Sequence, residues 1–161
     1  LPIWIEYASG LGLLGLRGRV RRLRARHEVG IVVIDYLQLM NGRNDAATRE
    51  QEISEISRGL KNLASELGVP IVCLSQLNRS VENRAAKDKR PQLSDLRESG
   101  SIEQDSDLVI LLYRDEYYNP ETTNARGVAE AILGKQRNGP TGTVRLKYTA
   151  SCTRFDNLAE P

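Results

Sequence analysis

The sequence has few of the groups that most often reveal a chemistry by themselves. Its two cysteines, Cys73 and Cys152, stand at no metal-ligand spacing, which excludes a cysteine-built metal centre. Cys73 lies inside an apolar run and reads as a small buried hydrophobe. No apolar stretch approaches the ~20 residues that span a bilayer, so no membrane partner is expected. No secretory leader stands at the start, where Leu1 opens directly into a strand-like run. With neither Met nor leader there, the chain reads as a fragment of something longer, cytoplasmic by default. Internal repeats and low-complexity segments are absent. The net charge of +2 is too small to argue for a polyanionic partner by itself.

What is present is ordinary in amount and uneven in placement. At 161 residues the chain is one domain's worth of polypeptide, or part of one. Six arginines fall between Arg17 and Arg26, and Arg79, Arg84, Lys87, Lys89 and Arg90 crowd a second segment. The first cluster reads as the solvated face of a helix whose apolar stripe is Leu13, Leu16, Val20 and Leu23. A nucleic-acid or subunit contact is the alternative.

The most informative stretch is Ile31-Val32-Val33-Ile34-Asp35. Four β-branched apolar residues run into a carboxylate without polar alternation, the pattern of a strand buried on both faces of a parallel sheet. An acid at the C-terminal end of such a strand sits where open α/β sheets bind ligands. Two chemistries want it: Mg²⁺ beside a nucleoside triphosphate, or the ribose of a dinucleotide. Upstream, a strand expected over 1–7 precedes Gly10-Leu11-Gly12-Leu13-Leu14-Gly15, which spells GxGxxG, with Asp35 20 residues beyond Gly15. On spacing this meets a dinucleotide fingerprint and opens an NAD-binding Rossmann oxidoreductase as one reading. The fingerprint explains nothing downstream.

Thr48 with Gln51 forms a capping box for a helix marked by Ile53, Ile56, Leu60, Leu63 and Leu67, stopped by Gly68 with Pro70 just beyond. Val69 to Leu74 is the next buried strand and delivers Ser75 and Gln76. Strand–helix–strand order puts Asp35 and Gln76 on the same sheet edge. Residues 78–91 form a long polar, basic loop, of a length that is functional or disordered. Short helical turns are expected around Gly100, then a third buried strand over 107–113. Strands over 129–133 and 143–148 make a hairpin through Asn138-Gly139. Lys135 and Arg137, two apart, share a strand face and suit an anion.

Four ordered stretches carry a specific resemblance: Ile34-Asp35-Tyr36-Leu37-Gln38-Leu39-Met40; Leu74-Ser75-Gln76-Leu77-Asn78-Arg79; Ser94 through Asp107; and Gly134-Lys135-Gln136-Arg137-Asn138-Gly139-Pro140. Over nearly its whole length the chain resembles the C-terminal motor domain of the hexameric replicative DNA helicases of the bacterial DnaB family. The resemblance implies a RecA-like α/β P-loop NTPase core, three-layered, with a mainly parallel sheet and a C-terminal antiparallel hairpin. Residues 1–161 would be a single partial domain, the C-terminal portion of that ATPase core. It implies ATP and Mg²⁺ as cofactors. Asp35 resembles the Walker B carboxylate that orders Mg²⁺ through water. Gln76 resembles the γ-phosphate sensor. Lys135 and Arg137 resemble cations that act in trans on a neighbour's nucleotide, with Arg137 as the arginine finger. Phe155 resembles a base-stacking residue, with a core aromatic as the alternative. Arg97, Glu98 and Gly100 match a loop that tracks single-stranded DNA by sequence-independent contacts, and Arg79 and Arg84 are further DNA-binding candidates. The implied partners are single-stranded DNA, five further copies in a homo-hexamer, primase and a helicase loader. The implied place is the bacterial nucleoid or replisome.

The match departs from the family in its glycine-rich helix from Leu11, where a more helix-favouring sequence is usual, and in its phosphate-binding motif. G-x-x-x-x-G-K-[ST] occurs nowhere in the chain, since Gly134-Lys135 is followed by Gln136 and preceded five residues earlier by Ala129. The expectation is a helicase piece that does not hydrolyse ATP alone. A catalytically inactive RecA-like module that binds DNA or a helicase ring is the second reading.

Overall fold

The computed structural model describes residues 2–8, 10–42, 48–78, 81, 84 and 88–158, with residues 97–99 described by their backbone alone. The chain divides into two compact units. One comprises Leu1–Gln76 with Glu98–Asp105, the other Leu77–Arg97 with Ser106–Pro161.

The first unit is built on two helices and one parallel strand pair. Helix α1 (Leu13–Arg24) buries Leu16 and Val20, and α2 (Arg49–Leu67) buries Ile53, Ile56, Leu60, Leu63 and Leu67. This is the three-and-four spacing expected of each. Thr48 Oγ1 accepts the Gln51 N–H at 3.2 Å, satisfying one of the four orphan donors at the start of α2. The helix ends where Gly68 adopts φ +59°, the left-handed cap that glycine takes without strain. Strands β1 (Val32–Ile34) and β2 (Ile71–Cys73) pair in parallel, Val32 opposite Ile71 and Ile34 opposite Cys73. Leu37, Met40 and Val69 complete the core, with Val32, Ile34, Ile71 and Cys73 packed against it.

The basic cluster of α1 is largely spoken for inside the unit. Arg17 and Arg21 both pair with Glu66 of α2, Arg19 pairs with Glu6, and Arg24 donates to the Leu67 carbonyl oxygen. Arg17, Arg21 and Arg24 tie the two helices together along their polar margin.

Two sequence expectations are corrected here. Residues 2–8 carry no strand; Ile3, Ile5 and Tyr7 are exposed, and Trp4 packs on His27 with ring centroids 4.6 Å apart. A strand needs a partner edge, and residues 2–8 make no bridge; an isolated one comes later, between Gly12 and Asn41. The second correction concerns burial on both faces. Val33 and Val72 point away from the core and are exposed, because the described residues cover one face of the pair.

The second unit is a four-stranded antiparallel sheet in the order β3 (Leu108–Tyr113), β4 (Val128–Gln136), β5 (Gly142–Thr149), β6 (Arg154–Asn157). The expected hairpin is present: β4 and β5 pair from Val128 opposite Lys147 to Leu133 opposite Gly142. The strand expected over 107–113 exists, but it alternates. Val109, Leu111 and Tyr113 are buried, whereas Leu108, Ile110 and Leu112 are 47%, 51% and 60% exposed. Leu77, Leu93, Leu96 and Ile132 cover only the inner face, the usual condition of an antiparallel sheet. A 3₁₀ segment (Leu93–Ser99) precedes the short helix α3 (Gly100–Asp105), which belongs to the first unit. Helix α4 (Asp115–Tyr118) and β6 are additions that no apolar period announces.

Candidate functional site

Because β1 and β2 run in the same direction, the residues that follow them leave the sheet at one edge. The ladder continues past both strands: Leu74 N–H donates to the Ile34 carbonyl at 2.9 Å, and Leu37 N–H to the Leu74 carbonyl at 2.9 Å. Asp35 and Gln76 therefore emerge together, and both are exposed. The Asp35–Tyr36 peptide is cis. Asp35 makes no hydrogen bond or ion pair to another described residue. A solvent-facing, uncommitted carboxylate at a strand end suits Mg²⁺, a hard cation that keeps most of its waters and takes one or two protein carboxylates. Among the described residues no group of three or more His, Cys, Asp or Glu converges on a metal position.

A side chain fixes the space between the two strand ends. Gln38, in the 3₁₀ turn Leu37–Leu39, donates from Nε2 to Ser75 Oγ (3.1 Å) and to the Gln76 carbonyl oxygen (3.4 Å). Its Oε1 accepts the Gln76 N–H at 3.3 Å. Behind it, Arg49 at the start of α2 donates to the Gln38 carbonyl at 2.6 Å and pairs with Glu52. Glu52 also accepts the Gly42 N–H at 2.6 Å. That backbone donor and the Arg49 guanidinium hold the Glu52 carboxyl below its ordinary range. Cys73, inward on β2, has its thiol pushed up to about 11 by burial and is inert at neutral pH.

In the second unit, Lys135 lies opposite Val109 on β3, and Gly134 falls at the irregularity between Val109 and Ile110. A Cβ on Gly134 would stand 3.1 Å from Leu93 Cδ2 and 3.3 Å from Leu111 Cδ1, so glycine permits the close approach there. Both cations lie beyond the last β4–β5 pair, Leu133 with Gly142. Arg137 is exposed, its N–H donates to the Asp107 carbonyl at 2.9 Å, and its guanidinium stands 3.6 Å from the Asp107 carboxylate. Phe155 packs on Tyr148 at 5.0 Å between centroids and remains 43% exposed.

The DNA-contact candidates stand in different settings. Arg84 Nη2 donates to both carboxylate oxygens of the buried Asp95, at 2.7 and 2.9 Å, and Nη1 donates to the Arg90 carbonyl, so the guanidinium is engaged within its own unit. Asp95 also accepts the Gln92 N–H at 2.7 Å. Gly100 is exposed, with open space where a side chain would be. Arg79 lies outside the described residues, as do residues 43–47 and most of 79–87. The side chains of Arg97 and Glu98 lie outside them too, although their backbone forms the end of the 3₁₀ segment. Sequence reading missed Gln38, Arg49, Glu52 and Asp95, since a polar residue in a loop or first helical turn carries no periodic signal.

Residues 1–157 match the model of the DnaB-like helicase C terminal domain. The chain belongs to this family. The replicative DNA helicase DnaB of Pasteurella multocida (strain Pm70) is 57% identical over 159 residues, which are 98% of this chain and 33% of the relative. That of Geobacillus stearothermophilus is 51% identical over 157 residues, 97% of this chain and 34% of the relative. The chain thus spans about a third of the length of the curated relatives it matches. Among solved structures, one described as an ATPase domain superposes with a TM-score of 0.87 at 43% identity, over 93% of this chain and 52% of that one. A DnaB-like replicative helicase, described with its interactions with primase, gives the same TM-score and identity over 36% of its length. The α/β core expected from the DnaB resemblance is thereby established. The dinucleotide reading of residues 10–15 is not favoured, for among the described residues no strand precedes that turn. Among the described residues, no helix is long and apolar enough to cross a membrane.

Proposed function

We infer that this chain is the C-terminal portion of the ATPase domain of a replicative DNA helicase, a cytoplasmic enzyme of the replisome that couples ATP hydrolysis to movement along single-stranded DNA. The observation that carries the reading is the shared sheet edge of Asp35 and Gln76, on a parallel strand pair in a chain of this family. When bound, Mg²⁺ neutralises phosphate charge. Asp35 would hold the ion through its water shell. Gln76, exposed beside it, hydrogen-bonds the γ-phosphate or the attacking water and leads directly into the basic segment 78–91. Hydrolysis can reposition that segment, as γ-phosphate loss repositions loops in other NTPases.

The cradle for the phosphates is assigned to polypeptide outside these 161 residues. The related ATPase domain of known structure is about twice as long as the matched part, and the chain lacks the P-loop pattern. Lys135 and Arg137 act on the nucleotide of the next subunit in a homo-hexamer. The Asp107 carboxylate holds Arg137 until a phosphate displaces it. Phe155, packed on Tyr148 and partly exposed, stacks on the base. Arg79, Arg97, Glu98 and Gly100 contact the DNA backbone, whereas Arg84 braces its loop on Asp95. Primase and a loader are partners of the whole helicase, the former supported by the relative described with primase.

The test is ATP turnover. The 161-residue chain alone is expected to show none above background. Mixing it with the upstream half of the ATPase domain should restore turnover, and Arg137→Ala should abolish the restored activity. Robust hydrolysis by the chain alone, or restored turnover indifferent to Arg137, would contradict the reading.

A further inference from the structure

Gln38 makes three hydrogen bonds that no sequence pattern anticipates, all to the residues that carry the second strand out of the sheet. The main-chain ladder between β1 and β2 ends with the Leu37–Leu74 bond. At the next rung no peptide of the first strand faces Gln76. The Gln38 carboxamide takes that place: its Oε1 accepts the Gln76 N–H, and its Nε2 donates to the Gln76 carbonyl. A carboxamide presents the same donor and acceptor as a peptide group, so it can extend a ladder by one rung. Its second N–H proton goes to Ser75 Oγ.

We propose that Gln38 is a positioning residue that fixes the Gln76 backbone, and hence the aim of the Gln76 side chain, relative to the strand end bearing Asp35. This inference rests on the reading of Gln76 as the residue facing the γ-phosphate. Gln38 is itself anchored from behind. Arg49 holds its carbonyl oxygen, and Glu52 joins Arg49 to the Gly42 N–H. The backbone at 42 and the start of α2 are therefore connected to Gln76 through one carboxamide. A shift in either moves the sensor, without any contact between that element and the nucleotide. Preorganisation of this kind acts on the chemical step more than on binding, because ATP is held chiefly by groups other than Gln76.

The substitutions that separate this role from bulk packing are Gln38→Met and Gln38→Glu. Methionine keeps the length and volume and loses all three bonds. Glutamate keeps the acceptor for the Gln76 N–H and loses both donated bonds. Both are made in the assembled helicase carrying this sequence, with ATP titrations and hydrogen exchange of the segment 74–78 in the absence of nucleotide. For Gln38→Met the expected result is a kcat about 10-fold lower, a KM for ATP within about 3-fold of wild type, and Gln76 amide exchange about 10-fold faster. For Gln38→Glu the same fall in kcat is expected, with Gln76 exchange close to wild type. Faster exchange with unchanged kcat would overturn the proposal, and so would a lowered kcat in Gln38→Met with unchanged exchange. If Gln38→Met fails to fold, Gln38→Glu decides alone: wild-type kcat overturns the inference. A Gln76→Ala control separates the two levels, because undiminished kcat in that variant sinks the sensor reading itself.

Discussion

Asp35 leaves β1 as an exposed carboxylate with no structural partner among the described residues, so replacing it removes a charge without removing a contact. Asp35→Asn in the assembled helicase should lower kcat by about 10²-fold or more while leaving the melting temperature unchanged. A matching loss of stability would assign Asp35 to the scaffold. Glu52 is the opposite kind of residue. Its pKa is held below the ordinary value of 4.5 by the Gly42 N–H and Arg49. A depressed carboxylate contributes stability that is fully present above the ordinary value and is lost as pH falls through the lowered one. Thermal melts should show wild type more stable than Glu52→Gln at pH 7, with the gap closing as pH falls below 4.5 and through the lowered value. A gap that persists at low pH would exclude the ionised carboxylate as its source. Asp35 and Gln76 were legible because each ends an apolar run. Gln38 and Glu52 were not, for their value lies in partners that are distant in sequence.

At the scale of elements, α2 is where sequence and structure agree most closely. Its cap, stripe and stop are local signals, and Thr48, the Ile/Leu series and Gly68 all appear in their expected roles. Ile56 is its most enclosed side chain, with no exposed surface. Ile56→Ala should cost about 2–5 kcal/mol, read from urea unfolding. Gly68→Ala meets open space, so its cost is backbone strain alone, about 1 kcal/mol. The strands were less legible. The runs at 31–34 and 108–113 are apolar throughout, yet both alternate between a covered and an uncovered face. Composition cannot say which neighbour covers a face. The segment 2–8 has the residues of a strand and no edge to join. β6 escaped notice because Arg154-Phe155-Asp156-Asn157 is short and mostly polar; its pairing with β5 creates it.

For the whole molecule, the chemistry is divided. Asp35 and Gln76 belong to one compact unit, Lys135 and Arg137 to the other, and the proposed ring makes these two cations complete a neighbour's site. A heterologous ring interface allows this division to be tested with two inactive variants. Asp35→Asn and Arg137→Ala are purified separately, mixed 1:1 under conditions that let rings exchange subunits, and assayed for DNA-stimulated ATP hydrolysis. If Asp35 serves its own subunit's nucleotide and Arg137 the neighbour's, random mixing leaves about a quarter of the interfaces with both intact groups. The mixture should then hydrolyse ATP well above either variant alone. If both residues act within one subunit, no subunit in the mixture carries the pair, and a mixture as inactive as its components would contradict the account.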